Sequence, residues 1–183
     1  MQRQKQRSFN ILTVINLLFV TASIAVCIIL MLVDLPGMEL LEVNPNWLLI
    51  WVVAWSLNRT AWQGAIAGLT IGCIYDGIVI STPSHILSFV VVGVLTSSLK
   101  TQKYLGEDFI SVAFIVFFMT FLSEAIFALQ YAGEYSIGII DLLQKYQQVV
   151  IISAIITSLW SPAFYYPVNL WQKKIRLWRK KFS

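Results

Sequence analysis

The chain has 183 residues, 58% of them hydrophobic and 12% charged, with a formal net charge of +4 and a mean hydropathy of +0.75. That composition excludes an ordinary soluble domain, leaves no room for a separate nucleic-acid-binding one, and predicts a single all-α membrane domain. The two cysteines, Cys27 and Cys73, fall inside predicted spans. No loop cysteine is left for a disulfide framework and no pair has metal-ligand spacing, so both are expected to be small core residues.

The chain opens on a polar, basic stretch with Arg3, Lys5 and Arg7. Residues 9–33 form an apolar run of spanning length. The run is longer than the apolar core of a signal peptide, and no small-residue cleavage site follows it, so it is expected to be a retained first helix. Thr13 and Asn16 are its candidate helix–helix hydrogen-bonding positions. A loop follows, with Pro36, Gly37 and Pro45 as breakers and Asp34, Glu39 and Glu42 as acids. The second span, 46–58, is short. Trp47, Trp51 and Trp55 recur on it every fourth position and share one face. That face is either a lipid-facing or interfacial strip, or an aromatic wall for a partner helix or a ligand.

The third span, 61–81, carries Gly64, Gly68 and Gly72, followed by Asp76, at successive four-residue steps. The four positions form one ridge on a helix. A ridge without side chains lets another helix approach at backbone distance, which is how helices associate in lipid. It packs either inside the chain or on a partner, and it ends in a carboxylate that lipid tolerates only at a cost. The bundle is expected to be organised around this stretch.

Asn58 and Arg59 mark a tight turn before the third span, and Ser81 to His85 mark the next one. His85, the only histidine, is expected to be a turn or helix-start residue. The fourth span is 86–99. A polar loop with Lys100, Lys103, Glu107 and Asp108 leads to the Phe-rich fifth span, 109–131, which contains Glu124. Residues 132–146 read as the longest connection. Ile139, Leu142, Leu143 and Tyr146 within it have the spacing of a short amphipathic helix lying on the membrane. The sixth span, 147–168, is expected to kink or end at Pro162 and Pro167. In the tail, 169–183, Trp171, Ile175, Trp178 and Phe182 form one stripe. Lys173, Lys174, Arg176, Arg179, Lys180 and Lys181 fill the other positions. This is the pattern of an interfacial helix on anionic lipid.

Charge sets the expected orientation. With both termini cytoplasmic, the inner segments hold Arg59, Lys100, Lys103 and the bases of both ends, while the outer loops hold acids and only Lys145. Six spans satisfy this. Asp76 and Glu124 each lie 15 residues into spans that run outward, so they fall at one depth. There they form either a shared proton or cation site, or two separate hydrogen-bond networks. There is no catalytic constellation, no phosphate-cradling glycine loop and no metal-ligand cluster, so no enzyme activity, cofactor or metal is expected.

The stretch from Asn46 to Leu99 resembles the MreD family of rod-shape-determining membrane proteins. The resemblance rests on the Pro45-Asn46-Trp47-Leu48-Leu49 start, on Trp55, on Gly64, Gly68 and Gly72, on Asp76 closing Gly72-Cys73-Ile74-Tyr75-Asp76, and on Gly93 in the next helix. At Thr82-Pro83-Ser84-His85 the chain departs from the Leu-Gly pair usual in that family's turn. The resemblance implies a non-enzymatic subunit of the cell-wall elongation machinery in the bacterial plasma membrane. It would bind an MreC-like single-span protein and serve MreB filaments, a RodA-type glycosyltransferase and a penicillin-binding transpeptidase. It also implies a fold similar to the six-helix substrate-binding subunits of energy-coupling-factor transporters. The alternative is therefore a vitamin-type transporter subunit, with a pocket near Asp76, Glu124 and the tryptophans.

Overall fold

The computed structural model describes residues 2–33, 37–41, 43–57, 59–80, 82–99, 109–135 and 139–182, and gives only the backbone at 2–10, 109, 139–145 and 179–182. Asp34, Pro36, Glu42, Asn58, Ser81 and the 100–108 loop lie outside the described residues. So do the side chains of Arg3, Lys5, Arg7, Ile139, Leu142, Leu143, Lys145, Arg179, Lys180, Lys181 and Phe182. The described residues form six helices: α1 (Gln2–Leu32), α2 (Trp47–Ser56), α3 (Ala61–Val79), α4 (Ile86–Ser98), α5 (Phe109–Tyr135) and α6 (Ile139–Phe182). Three helices are long and apolar enough to cross a membrane, over Ile11–Leu32, Ile110–Tyr135 and Tyr146–Trp178.

The centre of the bundle is α2, not the glycine-bearing α3. Each of the other five helices packs against α2, and nine of its ten residues are buried. A helix that is apolar all round belongs in a core. At ten residues it is also only ~15 Å long, half of a ~30 Å hydrocarbon layer. Asn46 caps it: the side chain accepts the Leu49 N–H at 3.0 Å, while the Asn46 N–H donates to Thr157 Oγ1 of α6 at 3.1 Å. One residue thus starts the helix, worth about 1 kcal/mol for such a cap, and pins it to its neighbour.

This placement corrects the reading of the tryptophans. Trp47 packs on Trp160 and Phe164 of α6, with ring centroids 5.8 and 5.3 Å apart. Trp51 stacks on Trp55 and donates its Nε1–H to Ser23 Oγ of α1 at 2.8 Å, the partner a buried indole requires. The strip faces the chain's own helices, so Trp47 and Trp51 present no face to lipid, a partner or a ligand. Trp55, at the end of the strip, takes the Arg59 guanidinium over its ring at 4.7 Å.

The carboxy-terminal third also differs from expectation. Ile139 begins a continuous α6 of 44 residues, with Pro162 and Pro167 inside it. The 132–146 stretch is therefore mostly the end of α5 and the start of α6, and the tail extends α6. Proline removes the helical donor to the carbonyl four residues back. At Pro162 that carbonyl belongs to Ser158, and it accepts the Ser161 hydroxyl at 2.7 Å instead. Such substitution lets a proline stand inside an apolar helix. In the tail, Asn169, Gln172 and Ile175 are buried, Trp171 stacks on Phe19 of α1 at 4.4 Å, and Lys174 Nζ sits 5.0 Å over the Trp178 ring. Lys174, Arg176 and Leu177 are exposed and Lys173 is half-buried. Cys27 is buried as expected, whereas Cys73 is exposed on α3.

Candidate functional site

Three features lie close together: a glycine seam between α3 and α4, a hydrogen-bonded carboxylate at the end of that seam, and a cavity between α5 and α6. The seam comes first because it sets the spacing of the rest. Gly64, Ala67, Gly68, Ile71 and Gly72 are the buried positions of α3, one face at helical spacing. Opposite them α4 buries Phe89, Val92 and Gly93. The two backbones touch. A methyl group at Gly68 would lie 2.6 Å from the Phe89 carbonyl carbon, one at Gly72 2.7 Å from Ile86 Cα, and one at Gly93 2.9 Å from the Gly64 carbonyl carbon. Gly64 itself faces Gly93 and Ser97. Only glycine fits these positions, and the ridge is used inside the chain.

Close approach puts the last turn of α3 beside the first turn of α4. Asp76 lies in that last turn, where a helix dipole disfavours an anion, but it reaches the start of α4, where a dipole favours one. Its Oδ2 accepts the Ser84 hydroxyl at 2.6 Å. The His85 N–H donates to Oδ1 at 2.9 Å, and His85 Nδ1 lies 3.1 Å from Oδ1. His85 is the N-cap residue of α4, yet its own side chain makes no cap bond. Ser84 Oγ instead accepts the Ile86 N–H at 3.1 Å, and Asp76, from the neighbouring helix, holds both that serine and the His85 N–H in place. The Thr82–Pro83 peptide is cis and leads directly into Ser84 and His85.

His85 is thus more than a helix-start residue. Its ring contacts Tyr75 at 4.6 Å and stacks on Phe127 of α5 at 4.2 Å. Burial pushes the imidazole below its ordinary range, against the opposing pull of the Asp76 carboxylate. The neutral ring then donates from Nδ1–H to Asp76, the tautomer that this hydrogen bond selects.

Glu124 lies at the same end, and Tyr75 stands within the electrostatic reach of both carboxylates. The two acids do not form a pair. Glu124 accepts Ser153 Oγ of α6 at 3.5 Å, and it lines a cavity with Phe127, Ala128, Tyr131, Tyr146 and Val149. Neither Asp76 nor any tryptophan lines that cavity, so the expected pocket joining all of them is not the one observed. Among the described residues no group of His, Cys, Asp and Glu side chains could hold a metal ion.

A glycine-welded hairpin with an acid latch occupies the region in which the sequence resemblance is concentrated. A family model described as "rod shape-determining protein MreD" matches residues 7–175. The chain belongs to the MreD family. No curated protein and no solved structure matches it. For an MreD-family chain, the role that follows is in shape determination, in a membrane. Sequence reasoning found the seam and both acids. It missed Ser84, His85, Phe127 and Ser153 as their partners, because these contacts join helices across turns. Ser84 and His85 just before the apolar run of α4 were the available signal, since Ser at that place marks a helix start.

Proposed function

We propose that the chain is a non-enzymatic scaffold of the cell-wall elongation machinery that binds an MreC-like single-span protein. Through that partner it serves the RodA-type glycosyltransferase and the penicillin-binding transpeptidase, linking wall synthesis to cytoplasmic MreB. All six helices lie in the bacterial plasma membrane, with both termini cytoplasmic, in a bundle of the energy-coupling-factor substrate-subunit kind. The basic tail lies against anionic lipid. The observation that carries this reading is the family match over residues 7–175.

Physical support comes from what the fold consumes and what it leaves. The glycine ridge, the tryptophan strip and Asp76 are all engaged inside the chain. The faces left open are apolar: Leu17, Leu18, Val26 and Ile29 on α1, and Phe114, Phe118 and Phe121 on α5. An apolar helix face with no polar site suits a single membrane helix, which docks by packing. The transporter reading has one feature in its favour, the cavity at Glu124. At ≈ 110 Å³ it falls below the ~300–1,000 Å³ of drug-sized ligand sites.

Purification from native membranes followed by native mass spectrometry tests the reading. The expected result is a complex with a single-span protein. Isolation of the chain with a vitamin-sized molecule and no protein partner would favour transport.

A further inference from the structure

The cavity between α5 and α6 has a chemistry that the scaffold role does not use. Its walls include Phe127, Tyr131, Tyr146 and Val149, and among the described residues its one charged group is Glu124. Tyr131 and Tyr146 face each other across the helix pair with ring centroids 6.0 Å apart. Phe127 is held from behind by the His85 ring at 4.2 Å.

The two carboxylates at this end differ in how well they are satisfied. Asp76 receives the Ser84 hydroxyl, the His85 N–H and the His85 ring. Glu124 receives a single long contact from Ser153, at 3.5 Å, and no cationic side chain pairs with it among the described residues. An acid inside an apolar helix pair is costly as an anion, so with nothing to answer its charge it takes up a proton. An anionic ligand gains no counter-charge from either form. A neutral apolar group leaves the acid without a hydrogen-bonding partner. An organic cation satisfies both halves of the site, with the acid as counter-charge and the ring faces as cation–π walls.

Size narrows the class. A dry cavity of ~150 Å³ takes up benzene, so ≈ 110 Å³ suits an amine of a few heavy atoms. We propose that this cavity binds an organic ammonium group, with Glu124 as its counter-charge and Phe127, Tyr131 and Tyr146 as its aromatic walls. Two sources carry that chemistry: the headgroup of an aminophospholipid and a free small amine. The inference is independent of the partner proposed above, since it concerns lipid or amine binding by the purified chain.

The test uses the full-length chain in nanodiscs of equal phosphatidylethanolamine and phosphatidylglycerol, released for native mass spectrometry, with ethanolamine and tetramethylammonium titrated in parallel. The expected result is either a roughly tenfold retention of phosphatidylethanolamine over phosphatidylglycerol, or saturable amine binding; tenfold corresponds to about 1.4 kcal/mol. Retention that free amine does not displace assigns the site to the lipid. Saturable amine binding that displaces the lipid assigns it to the soluble source. Glu124→Gln removes the counter-charge and Tyr146→Leu removes one wall, and each is expected to abolish the preference while the monomer peak on size exclusion is kept. If Glu124→Gln fails to fold, Tyr146→Leu and the wild-type lipid comparison decide. Equal retention of both lipids with no saturable amine binding by the wild type would overturn the proposal. So would a folded Glu124→Gln chain with the preference intact.

Discussion

Gly68→Ala is expected to loosen the α3–α4 hairpin severely, lowering stability by about 3 kcal/mol or more, the upper range for overpacking a close-packed site. The added methyl would meet the Phe89 carbonyl carbon at 2.6 Å and Val90 Cα at 2.7 Å. Both are backbone atoms, and neither can rotate away. The helices would have to part along the seam, and the Gly64–Gly93 contact would open with them. Gly77→Ala provides the control on the same helix. A methyl at position 77 meets nothing within 4 Å, and alanine is favoured over glycine in a helix by up to ~1 kcal/mol. That variant should be as stable as the wild type or more so. Thermal unfolding in detergent, followed by the loss of monomer on size exclusion, measures both. Equal melting temperatures for Gly68→Ala and Gly77→Ala would mean that the seam is not close-packed.

Asp76→Asn is expected to cost about 2 kcal/mol, and Asp76→Leu more. Hydrogen bonds to a charged group contribute ~1.5–3 kcal/mol against ~1 for neutral ones. The rim is partly wet, with about a fifth of the Asp76 side chain exposed (19%), so water takes back part of the loss. Asparagine keeps an acceptor for the His85 N–H but removes the charge at the start of α4. Leucine leaves the His85 N–H and the Ser84 hydroxyl without their acceptor. The predicted order of melting temperatures is wild type, Ser84→Ala, Asp76→Asn, Asp76→Leu. A Ser84→Ala chain less stable than Asp76→Leu would show that the serine, not the carboxylate, organises the turn.

The sequence displayed the seam plainly, because a four-residue glycine spacing has few uses in an apolar helix other than close packing. It displayed Asp76 for the same reason, as the charge that ends the ridge. The centre of the bundle was legible in principle: no polar residue lies between Trp47 and Trp55, and a short helix apolar all round belongs in a core. The tryptophan period drew the reading toward a surface strip instead, since indoles at four-residue steps suit a membrane interface equally well. The course of α6 through two prolines was not legible. At Pro162 the Ser161 hydroxyl answers the Ser158 carbonyl, which spacing alone does not reveal. The cavity was hidden for a related reason. Tyr131 and Tyr146 are fifteen positions apart, and only the antiparallel pairing of α5 and α6 brings them face to face.

Partner docking, as proposed, depends on which side of the membrane the Asp76 latch faces, and cysteine labelling reads that directly. Thr82 is exposed at the latch and Thr60 is exposed at the opposite end of α3, with no side-chain cap bond to lose. In a Cys27→Ala, Cys73→Ala background, Thr82→Cys should react with a membrane-impermeant maleimide on intact spheroplasts. Thr60→Cys should react only after lysis. The reverse pattern, with Thr60→Cys labelled from outside and Thr82→Cys protected, would place the latch in the cytoplasm and contradict the proposed scaffold.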